Sequence, residues 1–331
     1  MPDMPIRNTF PVLFATAISM LGVLASEPVH STPIAAAALA AQTPDPVPEL
    51  TPALAALDDA LRIRDEVTPN VRQRSAMPRH APVNGGVAIV PLPDSLPLTL
   101  HYQGQPVWTG HVQSGGPRVA VVGLPLQAEG EQQLTDAEGR VAARWLVTRK
   151  TYPEQRLVLK DTRYVTPDEE QLARFAREAE LQKQTYRQFS AAPGRAMQQP
   201  PWPVFRWPLS GRLSSPFGLQ RFFNDVPRAP HLGLDIAGRT GEPVMAPADG
   251  RVALTGDFFF NGRTVILDHG QGLFSMLCHF DEIRVQQGDM VTAGTTVGTV
   301  GATGRATGPH LHWTVSLNDA RIDPRWLLTD K

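Results

Sequence analysis

Short apolar runs at close spacing restrict the fold of this chain more than any other feature. Runs of mostly aliphatic residues, such as those at 87–90, 119–122 and 263–267, alternate with glycine and proline turns in two stretches of the sequence. Runs of this length between turn residues predict β-strands. The 331 residues suffice for about two domains. We therefore expect an all-β fold with two domains, a small β-sandwich at 85–165 and a second β-rich domain at 205–331.

One helical segment separates the two β stretches. Thr166, followed by Pro167 and Glu169, predicts a helix N-terminus, because threonine can cap the first turn and proline suits the first helical position. We expect the helix to run to about Phe189. Together with the proline-rich stretch after it, residues 166–204 form the predicted connection between the domains. Apolar residues recur at helical spacing at Leu172, Phe175, Ala176 and Ala179.

The N-terminal part of the chain predicts an export signal and a tether. Arg7 precedes an apolar stretch at 10–25, which is shorter than the ~20 residues that span a bilayer. We interpret residues 1–40 as a signal peptide cleaved near residue 25 or 40, with an uncleaved membrane anchor as the alternative. Residues 41–84 have the alanine- and proline-rich composition of a tether. The sequence thus predicts an exported protein with no stable membrane span after signal cleavage.

Charge and cysteine content exclude several classes of function. The chain carries 31 basic and 32 acidic side chains, a net charge of −1, so it lacks the strong positive field that holds nucleic acid. Cys278 is the single cysteine, which excludes an intramolecular disulfide and a zinc site built from paired cysteines. Any metal site must therefore use histidine and carboxylate ligands. Cys278 itself is best interpreted as a small buried hydrophobic residue.

Histidines are concentrated in the second β domain. Side chains two or four residues apart share one side of an extended strand, so His231 and Asp235 are predicted to point one way and Leu232 and Leu234 the other. His269 follows a strand at a turn, and we expect no part for it in a site. Five of the nine histidines lie in this domain, at His231, His269, His279, His310 and His312.

The residues of this cluster can form a catalytic zinc site. His310 and His312 share one face of a strand, with the leucine between them in the core. Three ligands from His231, Asp235 and His312 would leave the fourth tetrahedral position of Zn²⁺ open, as catalytic zinc requires. Water there would have a pKa of about 7 and could attack a substrate. His279 and His310 remain as imidazoles suited to act as a base towards that water and as hydrogen-bond donors to an oxyanion.

Five segments of the second domain carry a specific pattern. They are SSPFG at 214–218, PHLGLDIA at 230–237, PVMAPADG at 243–250, VILDHG at 265–270 and GATGRATGPHLHW at 301–313. This pattern resembles the LytM/lysostaphin-type peptidases of family M23. The resemblance implies a β-sheet peptidase domain, one Zn²⁺ per chain held by His231, Asp235 and His312, and catalytic roles for His279 and His310. It also implies the substrate class, which is the peptide stems or cross-links of bacterial peptidoglycan, with D,D cross-links expected.

The first β domain resembles the immunoglobulin-like domain that precedes the catalytic domain in some exported Gram-negative members of the family, through residues 85–88 and 122–126. This resemblance implies a periplasmic protein. One departure is Leu277, which stands where such enzymes usually carry a tyrosine that could help to align the site. The alternative functions are a catalytically weak LytM-like module that binds peptidoglycan or activates an amidase, and a periplasmic scaffold with purely structural zinc.

Overall fold

The computed structural model describes residues 77–112, 116–157, 168–190, 202–223 and 226–328. The predicted signal peptide, most of the tether and parts of the linker lie outside these ranges. Strands dominate the described residues, with one α-helix and a short 3-10 helix among them, so the mostly-β fold expected from the sequence is confirmed. No helix in these ranges is long and apolar enough to cross a membrane.

The N-terminal β region consists of two small sheets packed against each other. Its strands are β1(Val87–Pro91), β2(His101–Tyr102), β3(Gln105–Pro106), β4(Trp108–His111), β5(Arg118–Gly123), β6(Gly130–Thr135), β7(Val141–Val147) and β8(Glu154–Leu157). One antiparallel sheet has the order β1-β5-β4, and the other has the order β3-β2-β6-β7. Apolar side chains from both sheets form one core between them. The immunoglobulin-like assignment of this region stays a prediction.

The three-stranded sheet of the N-terminal region is buried on both faces. Ala88 and Val90 point into the core between the two small sheets, whereas Val87 and Ile89 belong to a larger core that also contains Trp313 of the C-terminal region. Burial on both faces explains why the apolar runs of β1 and β5 are uninterrupted, because a strand with one wet face would alternate. The two β regions therefore share one hydrophobic core.

The shared core extends to residues that the sequence assigned to the tether and the linker. Met77 is buried in it, and the backbone N–H of Arg79 donates to the carbonyl of Trp326. Trp202 is buried edge-to-face against Trp108, with ring centroids 5.2 Å apart. The end of the predicted tether and the end of the predicted linker thus belong to the packed structure, because their large apolar side chains complete this core.

Helix α1(Glu169–Tyr186) begins later and ends earlier than predicted. Its N-cap is Asp168 rather than Thr166. The Asp168 carboxylate accepts a hydrogen bond from the backbone N–H of Gln171, and the Gln171 side chain accepts one from the backbone N–H of Asp168. This reciprocal capping box satisfies two N–H groups at the start of the helix that have no acceptor within the helix.

The predicted apolar face of α1 is not a core face. Leu172 is 49% exposed and Phe175 is 41% exposed. The helix is buried only in its last turn, where Tyr186 packs edge-on against Phe274 of the C-terminal sheet, with ring centroids 5.8 Å apart. The rest of α1 is held to a loop at 257–261 by polar contacts and by Phe175, which packs edge-on against Phe260 with ring centroids 4.9 Å apart.

The C-terminal region is built on one large sheet. Its elements are β9(Leu213–Ser215), β10(Gln220–Phe223), β11(Val226–Pro227), β12(Leu234–Ala237), β13(Pro243–Met245), β14(Gly250–Phe258), β15(Gly262–Gly270), β16(Leu273–Ile283), β17(Met290–Val291), β18(Thr296–Val300), β19(His310–Leu317), β20(Ala320–Ile322) and the 3-10 helix Pro324–Trp326. The main path of the sheet runs β17-β14-β15-β16-β19-β12-β9. Strand β8 pairs in parallel with β10, beside the hairpin of β10 and β11.

An irregularity in β16 matters for the site. Val265 of β15 pairs with Leu277, and Arg263 pairs with Phe280. Between these two pairs the chain advances by two residues on β15 and by three residues on β16. An extra residue on one strand is a β-bulge, which can redirect a side chain. His279 lies within this bulge and has a φ of 64°, in the left-handed region. The bulge therefore changes the face on which His279 lies.

Candidate active site

Three side chains predicted as metal ligands converge at the ends of neighbouring strands. Asp235 of β12 is the cross-strand partner of His312 of β19, so their side chains share one face of the sheet. Nδ1 of His312 lies 2.8 Å from Oδ1 of Asp235. Nε2 of His231 lies 2.9 Å from the same oxygen and 3.0 Å from Nδ1 of His312. One ligand atom from each residue thus lies within 4.8 Å of the others.

The alternation predicted around these ligands holds in one strand and fails in the other. Leu311 is fully buried between His310 and His312, as expected for β19. Leu234 is also fully buried, but Leu232 is 37% exposed. The prediction for Leu232 is wrong because β12 begins only at Leu234, so the residues before it lie in a loop without strand periodicity.

The donor set fits a Zn²⁺ ion. Nδ1 of His231 donates to the carbonyl of Pro216 at 2.9 Å, so its Nε2 carries a lone pair towards Asp235. Nε2 of His312 lies 2.8 Å from Oγ1 of Thr314, which leaves Nδ1 for a metal. Two imidazole nitrogens and a carboxylate oxygen therefore meet at one point, where a cation would satisfy all three. Their mutual distances are slightly shorter than the ~3.4 Å edge of a tetrahedron with bonds of ~2.1 Å.

Burial and mutual contact fix the charge states of Asp235 and His312. Burial alone would raise the pKa of Asp235, but the contacts with His231 and His312 hold that pKa far below its ordinary value. Burial lowers the pKa of His312, so its imidazole is neutral near pH 7. Ionised carboxylate and neutral imidazole are the forms that bind a metal. Arg221 adds a fixed positive charge, with Nη2 3.3 Å from Oδ2 of Asp235.

His310 lies directly beside the ligands. Its Nδ1 donates to the carbonyl of Gly308 at 2.8 Å, because a carbonyl oxygen can only accept. The neutral ring then has its lone pair on Nε2, which lies 3.8 Å from Oδ1 of Asp235. His310 therefore presents a proton acceptor to the edge of the three-ligand cluster.

His279 faces His310, with ring centroids 4.7 Å apart. Regular alternation along β16 would send it into the shared core with Leu277, but the bulge turns it to the face of His312. Its Nδ1 donates to the carbonyl of Thr303 at 2.8 Å. Burial and the neighbouring His312 lower the pKa of His279 to about 3, so the ring is neutral and Nε2 is an acceptor.

Other residues singled out in the sequence lie outside the three-ligand cluster. His269 is buried within β15 rather than at a turn, and its Nε2 lies 2.9 Å from Oγ of Ser275. Leu277 is fully buried in the shared core, so a tyrosine there would have to displace core side chains. Cys278 is buried, and burial raises its pKa to about 12, which keeps the thiol protonated.

The groups that orient the site were not predicted from the sequence. Several of these are backbone carbonyls, which leave no signal in a pattern of side chains. The residues with these carbonyls lie in the motif segments at 214–218 and 301–313 and in the loop before β15. The orienting groups are the carbonyl of Pro216, the hydroxyl of Thr314, the carbonyl of Thr303, the carbonyl of Asn261 and the guanidinium of Arg221.

Comparison with known proteins identifies related sequences for both β regions. Residues 229–324 match the model of peptidase family M23, and residues 80–150 match the model of the N-terminal domain of that family. A Pseudomonas aeruginosa protein described as a peptidase M23 has a solved structure that is 42% identical. The alignment covers 75% of this chain and 96% of that one, with a TM-score of 0.60.

Two curated relatives match a shorter part of the chain. The DD-carboxypeptidase/endopeptidase Mpg of Neisseria meningitidis serogroup B is 36% identical over 113 residues, which is 34% of this chain and 26% of the relative. The peptidoglycan DD-endopeptidase ShyA of Vibrio cholerae is 38% identical over 111 residues, which is 33% of this chain and 26% of the relative. The match thus spans about a quarter of the length of these relatives.

Proposed function

This chain belongs to peptidase family M23, and we propose that it is a zinc-dependent endopeptidase. Its proposed substrates are peptide bonds of bacterial peptidoglycan, with D,D cross-links as the leading candidate. One observation carries the proposal: His231, Asp235 and His312 converge beside two imidazoles whose Nε2 atoms, in the neutral rings, can accept hydrogen bonds. The substrate class comes from the names of the relatives, which are a DD-carboxypeptidase/endopeptidase and a peptidoglycan DD-endopeptidase.

His231, Asp235 and His312 would hold one zinc ion per chain. When bound, zinc lowers the pKa of a water molecule to about 7 and polarises the scissile carbonyl. Three protein ligands leave the fourth position to water and substrate, which distinguishes a catalytic from a structural site. Pro216 and Thr314 orient the two histidine rings, and Arg221 holds the second oxygen of the Asp235 carboxylate.

His310 takes the proton from the attacking water in this proposal. In the neutral ring Nε2 is the acceptor, because Nδ1–H is committed to the carbonyl of Gly308. After it accepts the proton, the imidazolium is stabilised by the Asp235 carboxylate, 3.8 Å away. The same Nε2–H can then be donated to the leaving amine, as general acid–base catalysis requires.

His279 orients the water or the substrate from the other side of the site. Its Nδ1–H is committed to the carbonyl of Thr303, so its neutral form accepts a hydrogen bond at Nε2 and cannot donate one there. The oxyanion-donor role expected from the sequence therefore requires His279 first to take up a proton. Until then it accepts a hydrogen bond from the second O–H of the attacking water or from a substrate N–H.

The N-terminal β region, which we propose is immunoglobulin-like, supports the site as a fixed part of the enzyme. Tyr152, at its C-terminal end, packs against Gly218, where an added Cβ would lie 2.0 Å from the tyrosine ring. The backbone N–H of Gly218 donates to the carbonyl of His231 at 2.7 Å. We further propose that the enzyme works in the periplasm after cleavage of the signal at 1–40, which N-terminal sequencing of periplasmic protein would test.

Digestion of purified peptidoglycan by the mature protein tests the proposal. We expect the zinc-loaded protein to convert cross-linked muropeptide dimers to monomers, a chelator to abolish this, and added zinc to restore it. The variants His231→Ala and His310→Ala should both be inactive, but only His231→Ala should lose zinc. His111→Ala, a histidine of the N-terminal region, serves as the matched control and should cut like the wild type.

Absence of cleavage by folded, zinc-loaded protein would contradict the proposal. Mass spectrometry of the products identifies the bond that is cut. Cross-link-free tetrapeptides and pentapeptides would indicate endopeptidase rather than carboxypeptidase action. If a separate amidase becomes faster when the protein is added, although the protein itself cuts nothing, the chain is an activating module instead.

A further inference from the structure

We propose that Asn261, held in place by helix α1, is a positioning residue that fixes His279 in the active site. The inference deepens the proposed function and rests on it for its kinetic consequence. Its structural consequence, the protection of the His279 backbone, can be measured without any enzymatic activity.

His279 has a backbone conformation that needs support. Its φ of 64° lies in the left-handed region, which is unfavourable for a residue with a side chain. If the bulge in β16 relaxed to regular pairing, alternation would turn the imidazole towards the core side on which Leu277 lies. Contacts from outside β16 must therefore stabilise the bulge for the imidazole to face His310.

Asn261 provides such a contact from the loop before β15. The backbone carbonyl of Asn261 accepts a hydrogen bond from the backbone N–H of His279 at 3.0 Å. Its side-chain Nδ2 lies 3.5 Å from Sγ of Cys278. The next residue, Gly262, is pressed against Thr303, where a Cβ would lie only 2.4 Å from the carbonyl carbon. Thr303 in turn accepts from the His279 ring. The backbone and the ring of His279 are thus held by two loops that contact each other.

Helix α1 fixes the loop that carries Asn261. Nε2 of Gln182 donates to Oδ1 of Asn261 at 3.3 Å. One turn earlier, Oε2 of Glu178 accepts from the backbone N–H of Phe259 at 2.7 Å, and its Oε1 accepts from Nε of Arg174 at 2.6 Å. These polar contacts attach α1 to the loop even though most of the helix is exposed. The helix therefore acts on His279 through Asn261.

Four variants of the full-length mature protein test this inference. Asn261→Ala removes the side chain that α1 holds, and Gln182→Ala removes the partner on the helix. Asn261→Asp keeps an acceptor for Gln182 and should rescue the loss. Gln184→Ala is the matched control, because the Gln184 side chain bonds to Glu180 on the helix itself.

Hydrogen exchange of the His279 backbone N–H and cleavage of a soluble cross-linked muropeptide dimer are the two measurements. In Asn261→Ala we expect about tenfold faster exchange and about tenfold lower kcat, with KM and zinc affinity unchanged, since displaced catalytic groups slow the chemical step. Gln182→Ala should shift in the same direction by less. Asn261→Asp and Gln184→Ala should stay near the wild type.

Two results would overturn the inference. One is equal exchange and equal kcat for Asn261→Ala and Gln184→Ala. The other is a fall in kcat that only follows a loss of zinc or a lower melting temperature, which would make Asn261 a structural residue. If the wild type cuts no dimer at all, the proposed function fails, while the exchange measurement still decides whether Asn261 holds His279.

Discussion

Replacing Gly262 by alanine should destabilise the protein and slow its catalysis, because a side chain has no room at this position. Gly262 has a φ of +62°, and its Cβ would lie 2.4 Å from both the carbonyl carbon and Oγ1 of Thr303. Thr303 cannot easily retreat, since its hydroxyl donates to the carbonyl of Phe280 and its own carbonyl accepts from His279. The substitution therefore combines backbone strain with a collision at the active site.

The two costs can be separated with a matched glycine. Left-handed backbone in a residue with a side chain costs about 1–2 kcal/mol. Forcing apart packed atoms costs a further ~1–3 kcal/mol, so Gly262→Ala should lower the free energy of unfolding by roughly 2–5 kcal/mol. Gly130 has a similar φ of +68°, but nothing lies within 4 Å of its Cβ position. Gly130→Ala should therefore lose only the backbone part, about 1–2 kcal/mol.

Urea unfolding of the two zinc-loaded variants gives the difference directly, and cleavage of a cross-linked dimer gives the effect on the site. We expect Gly262→Ala to be less stable than Gly130→Ala by ~1–3 kcal/mol and to have a lower kcat, because Thr303 moves away from His279. Gly130→Ala should keep the wild-type kcat. Equal losses of stability in the two variants, within about 0.5 kcal/mol, would refute the steric argument.

Three further predictions concern the pH dependence, the zinc site and the shared core. Burial lowers the pKa of His269 below 6.5 in the folded state. As the pH falls, the unfolded chain therefore protonates this imidazole before the folded protein does. Stability should therefore be lost as the pH falls below about 6.5, at up to ~1.4 kcal/mol per pH unit, and calorimetry should find a shallower slope for His269→Gln. Thr314→Val removes the partner of the His312 ring and should weaken zinc binding about 10–100-fold in a chelator competition, whereas unchanged affinity would show that Thr314 does not orient His312. Deleting residues 1–150 removes one side of the shared core, where each large apolar side chain contributes ~1.5–3 kcal/mol to stability. Soluble expression and thermal melting should therefore show an unfolded product. A folded, active fragment would contradict this prediction.

Two of the three ligands, Asp235 and His312, were predictable from simple strand geometry, whereas His231 lies in the loop before β12. His310 and His312 lie on β19 with the expected alternation, and Asp235 is the direct cross-strand partner of His312. The position of His279 could not be derived in the same way. A β-bulge inverts the alternation after Leu277, and bulges depend on loop contacts that are distant in sequence.

The organisation of the chain was less accessible from the sequence than the site. The uninterrupted apolar run at 87–90 is compatible with a strand buried on both faces, but periodicity alone does not say what covers the second face. The N-terminus of α1 was misplaced because Thr166 and Asp168 are both good caps, and the reciprocal bonds with Gln171 favour Asp168. Helical spacing places Phe175 on an apolar face, yet its side chain is 41% exposed, beside Phe260 of the loop at 257–261.

The central claim is that His231, Asp235 and His312 hold a zinc ion whose fourth position is open to water. A crystal structure of the zinc-loaded full-length protein, with the metal located by anomalous scattering, tests it most directly. The account predicts one zinc ion per chain, bound by Nε2 of His231, Oδ1 of Asp235 and Nδ1 of His312, with a solvent molecule as the fourth ligand. A zinc ion closed off by the imidazole of His279 or His310 would make the site structural and would contradict the account.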